Sequence, residues 1–144
     1  MVPFCTSVRP PSAGQPLRGP QEALVVFLAA CGRAPETIVL VLDQRHCGSV
    51  CLVVEGVVPV DALVTLLTAL ARADPRVGAV VVASTGCSTA QLSAEHELAW
   101  FEAREALDGL GVDLLDWFLL TGRQAGSVAE LTDSQWRWRS APPW

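Results

Sequence analysis

An α/β domain, a mixed β-sheet flanked by helices, is the fold class this sequence predicts, and three observations predict it. Residues 77–82 form a continuous apolar run rich in valine, as expected of a strand buried on both faces in the middle of a sheet. Leu63, Leu66, Leu67 and Leu70 recur at a 3.6-residue period just before it, the signature of a helix laid on that sheet. Two β-branched-rich runs upstream, residues 37–42 and 49–54, are joined by the polar stretch DQRHCG and read as a hairpin.

Taken in order, residues 1–19 are rich in Pro, Gly and Ser and read as a flexible leader. Pro20 opens a helix, with an acid in its first turn and Gly32 as a stop. The hairpin follows, then the helix from Val58-Pro59 to about Ala73, which Asp74-Pro75-Arg76 ends. After the central strand comes a polar loop, and Ser93 is the N-cap candidate of the next helix, with Glu95 and Glu97 where the helix dipole favours acids. Gly109 and Gly111 end that helix near Leu110, and residues 112–120 form the last clear strand. The expected layout is a leader over 1–19, one domain over 20–125 and a mixed tail over 126–144 that ends in WRWRSAPPW.

Composition narrows the function classes. A chain of 144 residues suits one domain. Its longest apolar runs fall well short of the roughly 20 residues a membrane-spanning helix needs. The first dozen residues carry two adjacent prolines and no apolar centre, unlike a secretory signal. Five scattered cysteines fit a reducing compartment, so cytoplasm is the expected location. The sequence contains no Lys and no Tyr, which excludes Schiff-base lysines and tyrosine acid-base catalysts. Its ten Arg, with abundant Ala, Val and Leu, match the coding bias of a GC-rich genome. A net charge of −5 argues against nucleic-acid binding along the domain, which depends on neutralising phosphates with basic side chains.

The forty residues from Ala83 to Gly122, ASTGCSTAQLSAEHELAWFEAREALDGLGVDLLDWFLLTG, resemble the RadC-like branch of the JAB/MPN (JAMM) metalloprotease fold, which has a cytidine-deaminase-like architecture. That family carries His-x-His, ten residues, then Asp, with a Ser three positions before the Asp and a Leu-Gly and Leu-Leu-Asp strand after it. Laid on without a gap, the Ser falls on Ser93, the strand motif on Leu110, Gly111, Leu114, Leu115 and Asp116, and a closing Gly on Gly122. The family's element order of helix, hairpin, helix, strand, loop, helix, strand extends the resemblance over residues 20–122. Pro59 sits where the family often has His-Pro, although the connection leading to it is shorter here.

The resemblance implies zinc and hydrolysis of peptide or isopeptide bonds in active relatives. At the three ligand positions this chain has Ala83, Thr85 and His96: a methyl group, a hydroxyl and one imidazole. A catalytic zinc needs about three N, O or S ligands and an open position. No metal is therefore expected, and the remnant pocket would consist of Glu55, Ala83, Thr85, Cys87, Ser93 and His96. Glu55 falls near the family's general-base glutamate, but the favoured reading is a solvated acid at a strand end. Ser93 matches the family's serine, and helix capping alone explains it. Cys87, ahead of a helix N-terminus, could be a nucleophile with His96 as base, or a buried small hydrophobe. His46, Cys47 and Cys51 suggest zinc, yet residues four apart on one strand lie about 13 Å apart, so the cluster reads as structural. The Trp136 to Arg139 stretch reads as a tail that docks on its own domain or on a neighbour.

The expected function is binding of a protein partner or a small ligand, with self-association included and no membrane or nucleic-acid role. Two alternatives stand beside it. One is an enzyme that uses Cys87 with His96, and the other is an active zinc hydrolase with a relocated site built from His96, Cys87 and Glu55.

Overall fold

The computed structural model describes residues 5–8, 19–30, 35–56, 60–85, 94–121 and 124–132. Along the chain these form β1 (Cys5–Val8), α1 (Pro20–Ala30), β2 (Glu36–Asp43), β3 (Gly48–Glu55), α2 (Val60–Ala73), β4 (Val77–Ser84), α3 (Ala94–Asp108), β5 (Asp113–Leu120), β6 (Ala125–Ser127) and α4 (Val128–Leu131). The strands make one sheet in the order β1-β3-β2-β4-β5-β6. Every neighbouring pair is antiparallel except β4 and β5, which are parallel because α3 carries the chain back between them. The sheet is mixed, as the sequence predicts. β4 lies between β2 and β5, and Val77 through Ala83 are all buried, which accounts for its unbroken apolar run.

The two faces of the sheet have separate cores. On one face Ala23, Val26 and Phe27 of α1 pack on Ile38, Leu40, Leu42, Cys51, Val81 and Phe118. Phe27 meets Phe118 edge to face, with ring centroids 5.8 Å apart. On the other face Leu63 and Leu67 of α2 and Ala99, Trp100, Ala103 and Leu107 of α3 cover Val39, Val41, Val80, Val82 and Leu114. Leu63 and Leu67 are fully buried while Leu66 and Leu70 pack at the margin, so the helical period read in the sequence is the core-facing stripe of α2. Each fully buried leucine contributes about 1.5–3 kcal/mol of burial.

Three local devices set the register. In β5, Val80 pairs with Leu114 but Val81 pairs with Asp116, so Leu115 is an extra residue, a β-bulge. Past it, Trp117 and Leu119 share the α2/α3 core with Leu114, whereas Leu115, Phe118 and Leu120 join the α1 core. At the end of α3, Gly111 takes φ +74 and the amides of Gly111 and Val112 donate to the carbonyls of Asp108 and Leu107 at 3.1 and 3.0 Å. That is a Schellman stop, with Val112 and Leu107 buried together. In the β2-β3 hairpin, the Asp43 carboxylate accepts from the amides of Arg45 and Cys47 at 2.8 and 3.0 Å and holds the turn closed.

Described elements lie on both sides of the 20–125 span read from the sequence. β1, within the stretch read as a leader, pairs with β3 as an edge strand, Cys5 opposite Val54. Beyond 125, β6 pairs with β5, and the α4 residues Val128 and Ala129 are fully buried in the α2/α3 core. The rest of the tail, including Trp136 to Arg139, lies outside the described residues.

Candidate functional site

The residues aligned with a metal site surround the end of the sheet where β4 finishes, and their side chains are committed elsewhere. Ala83 is completely buried in the α1 core, with Ile38 and Phe118 as its cross-strand neighbours. Its methyl is packing, and no solvent-facing ligand position exists there. Thr85, just past the strand, extends the β2-β4 ladder: its amide donates to the Glu36 carbonyl at 2.9 Å, and its Oγ1 accepts from the Glu36 amide at 2.8 Å. The hydroxyl also lies 3.3 Å from the Glu36 carbonyl, to which it donates. It is occupied in closing the sheet.

His96, in the first turn of α3, is half-buried, and its ring meets Trp117 edge to face with centroids 6.4 Å apart. Trp117 in turn donates its indole Nε1-H to the Ser84 hydroxyl at 2.9 Å. His96, Trp117 and Ser84 thus gather at the C-terminal ends of the parallel strands, on the α2/α3 side. Glu55 belongs to the other side: it follows Cys51 and Val53 at two-residue spacing on the same face, both of them in the α1 core, and stands directly across from the buried Glu36. Between Glu55 and Trp117 run the β3-β2, β2-β4 and β4-β5 spacings, about 14 Å in all. Glu55 and His96 cannot grip one ion across that distance and through the sheet. Cys87 and Ser93 lie outside the described residues, as do Pro59 and Gly122.

The second cysteine-histidine cluster also disperses. Cys51 is fully buried in the α1 core, and burial pushes its thiol up to about 11, so it stays protonated and inert at neutral pH. His46 is buried in the hairpin turn with φ 62, a left-handed conformation unusual for a side chain. Its Nδ1 has no hydrogen-bond partner. Burial pushes the imidazole below its ordinary range, opposed in part by the carboxylates of Asp113 and Asp43. Among the described residues no three His, Cys, Asp or Glu side chains gather as a metal site.

Asp116, which the sequence presents only as part of a strand motif, is held by a hydrogen-bond network of its own. Fully buried, its carboxylate accepts from the amides of Trp117 and Ala129 at 2.7 and 3.1 Å and from the Ser127 hydroxyl at 2.6 Å. The signal was present: an acid inside DLLDWFLL must be satisfied when buried, and Ser127 with Glu130 spells the Ser-x-x-Glu of a helix start.

The chain matches no protein-family model and no curated protein sequence. Fold and site together define an α/β domain with one mixed sheet between helical layers. Among the described residues no helix is long and apolar enough to cross a membrane.

Proposed function

We propose that this chain is a RadC-like JAB/MPN-fold domain whose metal-dependent peptidase site has degenerated, and that it acts in the cytoplasm as a binding module for a protein partner or small ligand. One observation carries the proposal. The two strand-end positions that align with paired histidines hold a core methyl, Ala83, and a hydroxyl tied to the Glu36 backbone, Thr85. The order α1, hairpin, α2, β4, α3, β5 supports the family reading, and the His96-Trp117-Ser84 corner is a surface on which a ligand could rest. The relocated zinc site is disfavoured by the opposite placement of Glu55 and His96 across the sheet.

Elemental analysis of protein purified without a polyhistidine tag tests this reading. Zinc far below one equivalent is expected. About one equivalent of tightly held zinc, lost on His96→Ala, would overturn it and establish a metal site of another composition. Alkylation of Cys87 many-fold faster than a model thiol, slowed by His96→Ala, would instead make the chain a thiol enzyme.

A further inference from the structure

We propose that the β2-β3 turn, Asp43 to Cys47, is a pH-operated latch: closed, it keeps His46 buried over the start of β4, and protonation of His46 opens it while the rest of the sheet stays folded. The closed turn rests on a small set of bonds. The Asp43 carboxylate accepts from the amides of Arg45 and Cys47 at 2.8 and 3.0 Å. The His46 amide donates to the Asp43 carbonyl and the Asp43 amide to the Cys47 carbonyl, both at 3.0 Å. The Gln44 side-chain amide donates to the Val77 carbonyl at 3.3 Å and ties the turn to β4. Gly78 permits that approach, since a Cβ there would lie 2.6 Å from the Gln44 Cα.

Two features oppose closure. His46 has φ 62, a left-handed backbone that a side chain disfavours, and its buried Nδ1 has no hydrogen-bond partner. Both are relieved when the ring swings into water. The sheet supplies the hinge. β2 shifts register against β3 between Val41 and Leu42, and against β4 between Leu42 and Asp43, so both of its ladders are irregular where the turn begins. Leu40 and Val41, just upstream, are paired on both sides and buried. Separation past Leu42 therefore frees the turn and leaves the sheet intact, as a local opening.

The surrounding charges set the direction. Asp113, at the start of β5, and Asp43, in the turn, both attract an imidazolium at His46. Arg45 is exposed on the turn and Asp108 at the end of α3. Asp74 and Arg76, in the connection before β4, pair with one another at 3.0 Å. The Cys47 thiol, pushed up by burial and by Asp43, stays neutral. Burial outweighs the two carboxylates and holds the closed imidazole below its ordinary range. In the open turn the ring regains its ordinary value near 6.5. Closure is thus most favoured above about pH 6.5 and weakens as pH falls toward the closed-state value, the open fraction rising by up to about tenfold per unit of pH between the two. The inference is independent of the fold-family reading.

Amide hydrogen exchange of the full chain, followed by NMR and corrected for intrinsic rates, tests the proposal. The His46 and Cys47 amides report opening of the turn, and those of Leu40 and Val81 report opening of the sheet. The turn amides should be at least about tenfold less protected than the sheet amides, and their protection should fall severalfold between about pH 7.5 and about pH 5.5. His46→Asn accepts the left-handed backbone and does not titrate, so its turn should keep the same protection at both pH values. The His46 ring, followed through its own C-H resonances, should titrate below about 6.5. Turn protection equal to that of the sheet would overturn the proposal, since the turn would then open only with the whole domain. Turn protection that is constant with pH, or that falls equally in His46→Asn, would overturn it as well, and so would a His46 ring that titrates at or above about 6.5.

Discussion

Ser127 donates its hydroxyl to the Asp116 carboxylate at 2.6 Å while accepting from the Glu130 amide at 3.0 Å, so a buried acid in β5 fixes the first turn of α4. Asp116 also satisfies the Ala129 amide, one of the donors that a helix start leaves without an intrahelical partner. Asp116→Ala would remove the acceptor from three donors in a dry site. The loss should be about 3–5 kcal/mol in denaturant unfolding. Asp116→Asn keeps the shape and one acceptor oxygen and should lose clearly less. A loss below about 1 kcal/mol for the alanine variant would mean that α4 is held by Val128 and Ala129 packing alone.

The parts of the fold legible in the sequence are those written in local periodicity. The leucine stripe of α2 and the valine run of β4 each carry their burial pattern within one element, and both stand where that pattern puts them. β1 and α4 were not legible. Four residues of strand and four of helix give no period, and their stability comes from pairing with β3 and from the Asp116 carboxylate, partners distant in sequence. The bulge at Leu115 was hidden for a similar reason, because alternation in β5 breaks where its pairing with β4 does. For the candidate site, only the residue types at the aligned positions, Ala83, Thr85 and His96, could be read from the sequence. That Ala83 faces the α1 core and that Thr85 binds Glu36 required the sheet register.

His46 gives the domain a pH dependence of defined sign. Its imidazole is buried beside Asp113 and Asp43, and burial lowers its folded pKa below the unfolded value near 6.5. Between those two values the unfolded chain binds more protons than the folded one, so stability rises with pH across the window. It is fully present above about pH 6.5 and declines as pH falls toward the folded pKa. His46→Asn tolerates the left-handed conformation and cannot titrate. Urea unfolding between about pH 7.5 and about pH 5.5 should show a smaller decline for this variant. An identical decline would place the pH sensitivity elsewhere.

Gly78 marks where the hairpin turn crosses the start of β4. A Cβ at this position would lie 2.6 Å from the Gln44 Cα and 2.7 Å from the Asp43 carbonyl oxygen, both backbone atoms that cannot rotate away. The same crossing brings the Gln44 side-chain amide to the Val77 carbonyl at 3.3 Å. Gly78→Ala should therefore push the turn off the sheet, costing about 1–3 kcal/mol and exposing His46. Thermal unfolding would detect the first effect, and a rise of the His46 pKa toward its ordinary value, followed by NMR, the second. A variant as stable as the parent would show that the turn is held less closely than these distances require.

Histidines placed at Ala83 and Thr85, with an aspartate at His96, should not create a metal site, because the first two positions serve core packing and sheet closure. Ala83→His would force an imidazole between Ile38 and Phe118 in a fully buried position, combining overpacking with an unsatisfied polar ring. Together these should cost about 2–5 kcal/mol. Thr85→His removes the hydroxyl that closes β2 onto β4 through Glu36, for a further loss of about 1 kcal/mol. The triple variant with His96→Asp should then be markedly destabilised, bind zinc weakly and hydrolyse no peptide substrate. Stability within about 0.5 kcal/mol of the parent, with about one equivalent of zinc, would mean the opposite: that the strand end still has the shape of a ligand site, and that only its side chains were exchanged.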